Sequence, residues 1–185
     1  NIEANLKYTD TPGLGKKFYT ELTTRELKIG EILQSKDTIG ALTSNIILKG
    51  EFVDTANHFI EVEGVIDSLK FRRYNYSDLA LSGQLINRNL MANLEMNDDN
   101  VDFEFSVESD HSGEYQETNF LLDVDYLNLY RINLMDNKFA LRTKITGNIT
   151  GSDMSYLQAV VNMPAITILT GNNVFDMNQF KMNLK

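Results

Sequence analysis

Cysteine is absent from this chain of 185 residues, and histidine occurs only twice. The absence of cysteine excludes disulfide bonds, thiolate metal sites and a cysteine nucleophile. His58 and His111 are far apart in the sequence, and neither forms a pair with metal-ligand spacing. No zinc site is therefore expected, and we interpret both histidines as surface loop residues.

Long apolar runs are also missing. No run approaches the roughly 20 residues that span a bilayer, and the longest, around 159–169, is interrupted by Pro164. A signal peptide is absent as well. The chain begins at Asn1 without a methionine and ends at Lys185 within an alternating pattern, so we expect a soluble segment excised from a longer protein.

Positive charge is in the minority, with 17 basic against 26 acidic residues and a formal net charge of -9. Such a surface repels phosphate backbones, so we expect no nucleic-acid partner. Hydrophobic residues make up 42% of the chain, which is enough for an ordered fold.

Motifs for catalysis or metal binding are equally scarce. The segment 12–17 (PGLGKK) fails the P-loop spacing, and 97–102 (NDDNVD) lacks the glycine and glutamate of an EF-hand. Carboxylates two positions apart on a strand, such as Glu61 and Glu63, share its polar face, where solvated carboxylates belong. The sequence predicts no enzymatic activity, no cofactor and no metal site.

What the sequence does contain is alternation of apolar and polar residues, the pattern of a half-buried strand. Clusters rich in Asn, Asp, Gly and Ser at 87–89, 97–100 and 109–113 have the chemistry of hairpin turns, so consecutive strands should be antiparallel neighbours. Strands are predicted at 18–22, 46–52, 60–69, 79–85, 90–96, 101–108, 120–124, 139–145 and 179–184.

Helical pattern is limited to three short segments. Residues 153–162 have helical spacing of apolar residues ahead of Pro164 and predict a short helix. Residues 27–35 and 126–134 could each form one or two helical turns. The latter two segments also align at an offset of 100 positions, which suggests a weak internal repeat of about 20–85 and 119–185.

Three stretches resemble a known family: 22–33 (LTTRELKIGEIL), 37–52 (DTIGALTSNIILKGEF) and the long segment that starts at Ile60 (IEVEGVIDSLKFRRYNYSDLALSGQL). They look like the β-repeat region of TamB-like proteins in the AsmA-like superfamily. The resemblance implies a mainly β fold, with a long, mostly antiparallel, curled (U-shaped, β-taco-like) sheet, one to three short helices and an elongated repeat architecture.

The same resemblance implies a place in the cell and a set of partners. TamB-like proteins are anchored in the inner membrane, cross the periplasm and work with an outer-membrane barrel of the BamA/TamA type. Residues 1–185 would then be one β-rich segment of the periplasmic region. Its apolar groove would shield or conduct phospholipid acyl chains, or outer-membrane protein strands, between the two membranes.

The candidate lining of that groove consists of apolar residues at alternating strand positions. A sealed protein core would show the same pattern, so a closed β-sandwich that serves as a binding or adhesin-like module stays open as the alternative. The predicted lining residues are Ile60, Val62, Ile66, Leu79, Leu81, Leu85, Leu90, Leu94, Met96, Val101, Phe103, Phe105, Val107, Phe120, Leu122 and Val124.

Overall fold

The computed structural model describes residues 1–13, 15–35, 38–54, 57–153 and 156–184. The chain is mainly β, with 79% of its residues in strands of an antiparallel sheet and almost no helix. This confirms the predicted fold class. The elements are β1 (Ile2–Thr11), β2 (Gly15–Lys28), α1 (Ile29–Ile32), β3 (Ile39–Phe52), β4 (His58–Phe71), β5 (Tyr74–Ile86), β6 (Asn89–Asp98), β7 (Val101–Asp110), β8 (Gln116–Asn128), β9 (Phe139–Asp153), β10 (Tyr156–Thr170) and β11 (Asn173–Leu184).

The order of the strands in the sheet is their order along the chain. The chain divides into two compact units, Asn1–Leu94 and Glu95–Lys185. In the first unit, β1 to β5 pair successively, and in the second unit β7 to β11 do the same. That residues 1–185 are one segment of a longer repetitive region stays a prediction, and Lys185 lies outside the described residues.

The predicted hairpin turns form where the polar clusters stand. Asn87 adopts a φ of 55°, and its side-chain Oδ1 accepts a hydrogen bond of 3.2 Å from the backbone N–H of His58. Asp98 Oδ1 accepts a hydrogen bond of 2.9 Å from the backbone N–H of Asn100. These bonds satisfy the backbone at the turns and fix the register of the strands that follow.

The two segments that were predicted as helical turns are partly confirmed. The first contains α1, whose last turn is closed by a hydrogen bond of 2.9 Å from Leu33 N–H to the Ile29 carbonyl. In the second, β8 continues to Asn128, and a single turn then places the Ile132 N–H 3.2 Å from the Asn128 carbonyl. Ile132 of this turn is the most deeply buried hydrophobic residue of the described chain.

The helix predicted at 153–162 is wrong. Described residues of this segment belong to strands β9 and β10, and residues 154 and 155 lie outside the described residues. In β10, Leu157, Ala159 and Val161 pair with Gly151, Ile149 and Gly147 of β9. Strands on both sides of β10 supply hydrogen bonds for its backbone, and this outweighs the weak helical spacing of a short apolar run.

β-bulges interrupt the strands and shift the alternation of the bulged strand by one position. In the β2–β3 pair the register shifts between Thr24 and Leu27, and in the β8–β9 pair it shifts between Val124 and Leu127, 100 positions later (124 − 24). The extra residue bends the strand and increases its twist. Leu27 pairs with Leu42, so apolar residues continue on the same face beyond the bulge. The internal repeat itself stays a prediction, although both units contain this feature.

Two glycines leave room for phenylalanine rings from a neighbouring strand. Gly50 of β3 pairs with Phe18, and Gly147 of β9 pairs with Phe120. A Cβ atom at either glycine would overlap the ring of its phenylalanine. The missing side chains therefore leave the space that these rings fill.

We predict that Gly147→Ala destabilises the fold by about 1–3 kcal/mol, because its methyl group would displace the Phe120 ring. Urea unfolding followed by circular dichroism measures the loss. Gly113→Ala is the matched control, since its new Cβ would come no closer than 3.4 Å to the Tyr115 carbonyl oxygen. Equal stability of wild type and Gly147→Ala would contradict the packing described.

Candidate functional site

The first unit has one apolar sheet face. Directly paired residues of antiparallel strands point to the same side, so the pairings of β1 to β5 define rows that cross the sheet. Four rows carry no charged residue, and we refer to them together as the apolar face. The rows are Tyr8, Phe18, Gly50, Ile60 and Leu85; Leu6, Thr20, Leu48, Val62 and Gly83; Ala4, Leu22, Ile46, Gly64 and Leu81; and Ile2, Thr24, Ser44, Ile66 and Leu79.

The pairings bring six of the predicted lining residues together on this face. Ile60 pairs with Leu85, and Ile66 pairs with Leu79. Val62 and Leu81 lie in the two rows between them, each opposite a glycine of the partner strand. All six are half-buried. Their role as lining of a ligand groove stays a prediction.

The other predicted residues lie on β6, β7 and β8. On β7, Phe103, Phe105 and Val107 pair with Val124, Leu122 and Phe120 of β8, so these six share one face of the second unit. Val101 pairs with Leu127 on the same side. Leu90, Leu94 and Met96 occupy alternate positions of β6. Among all sixteen predicted residues only Met96, Val101 and Val124 are buried, and the other thirteen are half-buried.

The apolar face of the first unit is not a sealed core. In the described part of this unit, no hydrophobic residue reaches the burial of a core residue. The side chains of the face that are fully covered are Thr24 and Ser44, whose hydroxyl groups lie 2.9 Å apart. Leu48 is 36% exposed and Leu6 is 69% exposed. Apolar surface is therefore accessible to solvent or to a ligand along these strands.

The opposite face of the same strands is polar and carries ion pairs. Lys17 and Glu51 are 2.9 Å apart across β2 and β3. Lys49 of β3 pairs with Glu61 of β4, and Gln84 of β5 donates a hydrogen bond of 3.4 Å to the same carboxylate. In the second unit, Lys144 of β9 lies 2.5 Å from Asp123 of β8. Each pair sits at directly opposed positions, where opposite charges stabilise strand pairing.

Carboxylates raise the pKa of two lysines on the polar faces. The hydrogen bond to Glu61 raises the pKa of Lys49, and the hydrogen bond to Asp123 raises the pKa of Lys144. A lysine whose pKa is higher in the folded state contributes stability below its unfolded pKa of about 10.4, and the contribution disappears as the pH rises through the folded value.

We therefore predict that alkaline pH weakens the fold partly through these two lysines. The free energy of unfolding, measured in urea between about pH 9 and about pH 12, should fall less steeply for Lys49→Met/Lys144→Met than for the wild type. An equally steep fall in both proteins would show that the two ion pairs do not contribute.

A cleft lies at the end of the apolar face, beyond the first row. Its volume is about 780 Å³, within the usual range of small-molecule sites. The end row of paired residues forms its wall, with Asp10, Lys16, Phe52 and His58 in order across β1 to β4. The cleft is lined by Asp10, Thr11, Pro12, Gly13, Gly15, Lys16, Phe52, Val53, Asp54, His58, Ile60 and Leu85.

Aromatic stacking fixes the apolar wall of this cleft. The Phe52 ring stacks between Phe18 and His58, with ring centroids 6.0 Å and 6.2 Å away. The interpretation of His58 as a loop residue is wrong, since it is the first residue of β4 and is half-buried. His111 is exposed and follows β7, as predicted.

Sequence reasoning identified Ile60 and Leu85 but missed the charged end of the site. Strand β1 was not predicted, although Ile2, Ala4, Leu6 and Tyr8 alternate with polar residues in the sequence. The same alternation, extended by one step, would have placed Asp10 on the side of Tyr8. The alternation of Phe18 and Leu22 was visible in the sequence. Extended by one step toward the N-terminus, it would have placed Lys16 on the apolar face.

Other kinds of site find no support in the part of the chain that the structure describes. No group of three or more His, Cys, Asp or Glu side chains is arranged to hold a metal ion there. None of the helices described is long and apolar enough to cross a membrane.

Comparison with protein-family models, with curated proteins and with solved structures finds no match for the chain.

Proposed function

We propose that this chain is a non-enzymatic carrier segment whose apolar face shields or conducts acyl chains. The observation that carries this proposal is the combination of continuous apolar rows with incomplete burial. Four successive rows lack charge, and the hydrophobic side chains in them keep part of their surface accessible. Contiguous exposed apolar surface commonly marks a site that binds a ligand, a membrane or a protein partner.

The energetics favour such a surface for lipid cargo. Each buried methylene contributes about 0.8 kcal/mol, so moving a phospholipid through water costs on the order of tens of kcal/mol. An apolar strip reduces that cost without needing specific polar contacts along the tail. It also needs no catalytic group, in agreement with the motif-poor sequence.

The family and location stay part of the proposal. The resemblance to TamB-like proteins rests on sequence segments such as 60–85, which lies in the β4–β5 hairpin of the antiparallel sheet, as a β-repeat region requires. On this basis we propose a periplasmic segment of a parent protein anchored in the inner membrane. The outer-membrane partner of that parent would be a barrel of the BamA/TamA type.

The alternative was a closed β-sandwich that acts as a binding or adhesin-like module. A sandwich buries the apolar face of one sheet against a second sheet. The described strands instead belong to one sheet whose strand order follows the chain, and the predicted lining residues are mostly half-buried. These two observations favour the carrier function over the sandwich.

A pair of adjacent substitutions tests the proposal. Leu48→Lys places a charge in the middle of the apolar face, and Ile47→Lys places the same charge on the polar face between Glu21 and Glu63. We predict that Leu48→Lys lowers binding of a lysophospholipid about tenfold, because the ammonium group adds a charge to apolar surface that the acyl chain covers. Native mass spectrometry with a lipid titration measures the bound fraction.

The control variant should bind as the wild type does. Circular dichroism verifies that both variants fold, which we expect because Leu48 is already 36% exposed. If the wild type binds no lipid, or if both variants lose binding equally, the apolar face is not the lipid site.

A further inference from the structure

Charged residues follow the apolar face of the first unit directly at the end where the cleft lies. None of the twenty positions in the four apolar rows, at five residues per row, is charged. Beyond them, the end row presents Asp10, Lys16 and His58 on the same side of the sheet. All three also line the cleft. An amphiphile has the same arrangement, with a long apolar chain and a polar group at one end.

The contacts of the two charged strand residues are long, and the Tyr8 hydroxyl donates a hydrogen bond of 3.5 Å to Asp10 Oδ2. Lys16 Nζ and Asp10 Oδ2 are 4.0 Å apart, and their side chains are 60% and 51% exposed. An ion pair this long and this exposed adds little to stability. Both groups can therefore exchange their contact for a stronger one with a ligand.

The sign of the charge in the cleft favours one class of head group. Besides His58, its charged side chains are the ammonium of Lys16 and the carboxylates of Asp10 and Asp54, one positive and two negative. Asp54 also accepts hydrogen bonds of 2.8 Å from the backbone and side chain of Asn57. A purely anionic head group would meet repulsion from two carboxylates. A head group with both signs has a partner for each of its charges.

We propose that this cleft binds the head group of a zwitterionic amphiphile that carries an ammonium and a phosphate. The ammonium faces Asp10, the phosphate faces Lys16, and the acyl chain continues over Ile60 and Leu85 into the apolar rows. This inference rests on the proposed function and adds selectivity for the head group to it.

The length of the apolar face suits one acyl chain. Adjacent rows are two residues apart, or about 6.6 Å at about 3.3 Å per residue, so four rows span about 20 Å (three steps). One leaflet of a bilayer is about 15 Å deep, half of the hydrocarbon thickness. An extended chain whose head group lies in the cleft therefore fits within the four rows.

The test compares two lysolipids that have the same acyl chain. Lysophosphatidylethanolamine is zwitterionic, and lysophosphatidylglycerol is anionic. Native mass spectrometry of the intact chain, with both lipids below their micelle concentrations, gives the ratio of their dissociation constants. We expect wild type to favour the zwitterionic lipid about threefold to fivefold, the effect of one or two exposed charge contacts.

Three variants assign that ratio to the cleft. Asp10→Asn removes the partner of the ammonium and should bring the ratio close to one. Lys16→Ala should weaken binding of both lipids about threefold, because both carry the phosphate. Lys17→Ala is the matched control, since this neighbouring lysine lies on the polar face beside Glu51 and should change neither affinity.

The outcomes separate this inference from the proposed function. If neither lysolipid binds to the wild type, the proposed function fails and the head-group site fails with it. If both bind equally well, or if Asp10→Asn keeps the wild-type ratio, the acyl-chain site stands and the head-group site is overturned. Circular dichroism confirms that each variant folds, and the exposure of both side chains makes a folding defect unexpected.

Discussion

The separation of apolar and polar residues onto opposite faces of the sheet depends on the register of the strand pairs. A shift by one residue in any pair would move an entire apolar row to the polar side. The register of β3 and β4 keeps Leu48 opposite Val62 and Lys49 opposite Glu61. One row is therefore apolar, and the adjacent row on the other face contains an ion pair. Bulges such as that between Thr24 and Leu27 preserve this division, since apolar residues resume on the same side.

The two faces stabilise the sheet in different ways. On the polar face, directly opposed ion pairs such as Lys49 with Glu61 link neighbouring strands and keep that side hydrated. On the apolar face, stabilisation comes from contacts within the sheet, such as the Phe18 ring over Gly50 and the buried hydroxyl pair of Thr24 and Ser44. No described hydrophobic residue of the first unit is fully covered. The face thus holds its shape while apolar surface remains available.

The strand pattern was predictable because alternation and turn chemistry act locally. The order of apolar and polar residues in β4, β5 and β7 was sufficient to assign which residues share a face. The segment 153–162 was not predictable in this way, because its short apolar run fits either structure and pairing with its neighbours decides. Predicting the charged end of the site required knowledge of the β1–β2 pairing, because Asp10 and Lys16 become neighbours only through the hairpin that joins their strands.

The central claim is that the apolar face receives an acyl chain, and methyl NMR tests it most directly. In protein with labelled Leu, Val and Ile methyl groups, we predict nuclear Overhauser effects from lysolipid methylenes to Leu48, Val62 and Leu81. Val65 provides the internal reference, because it is 42% exposed but lies on the polar face. Contacts to Val65 as strong as those to Leu48, or contacts to none of these residues under conditions where the lipid is bound, would contradict the account.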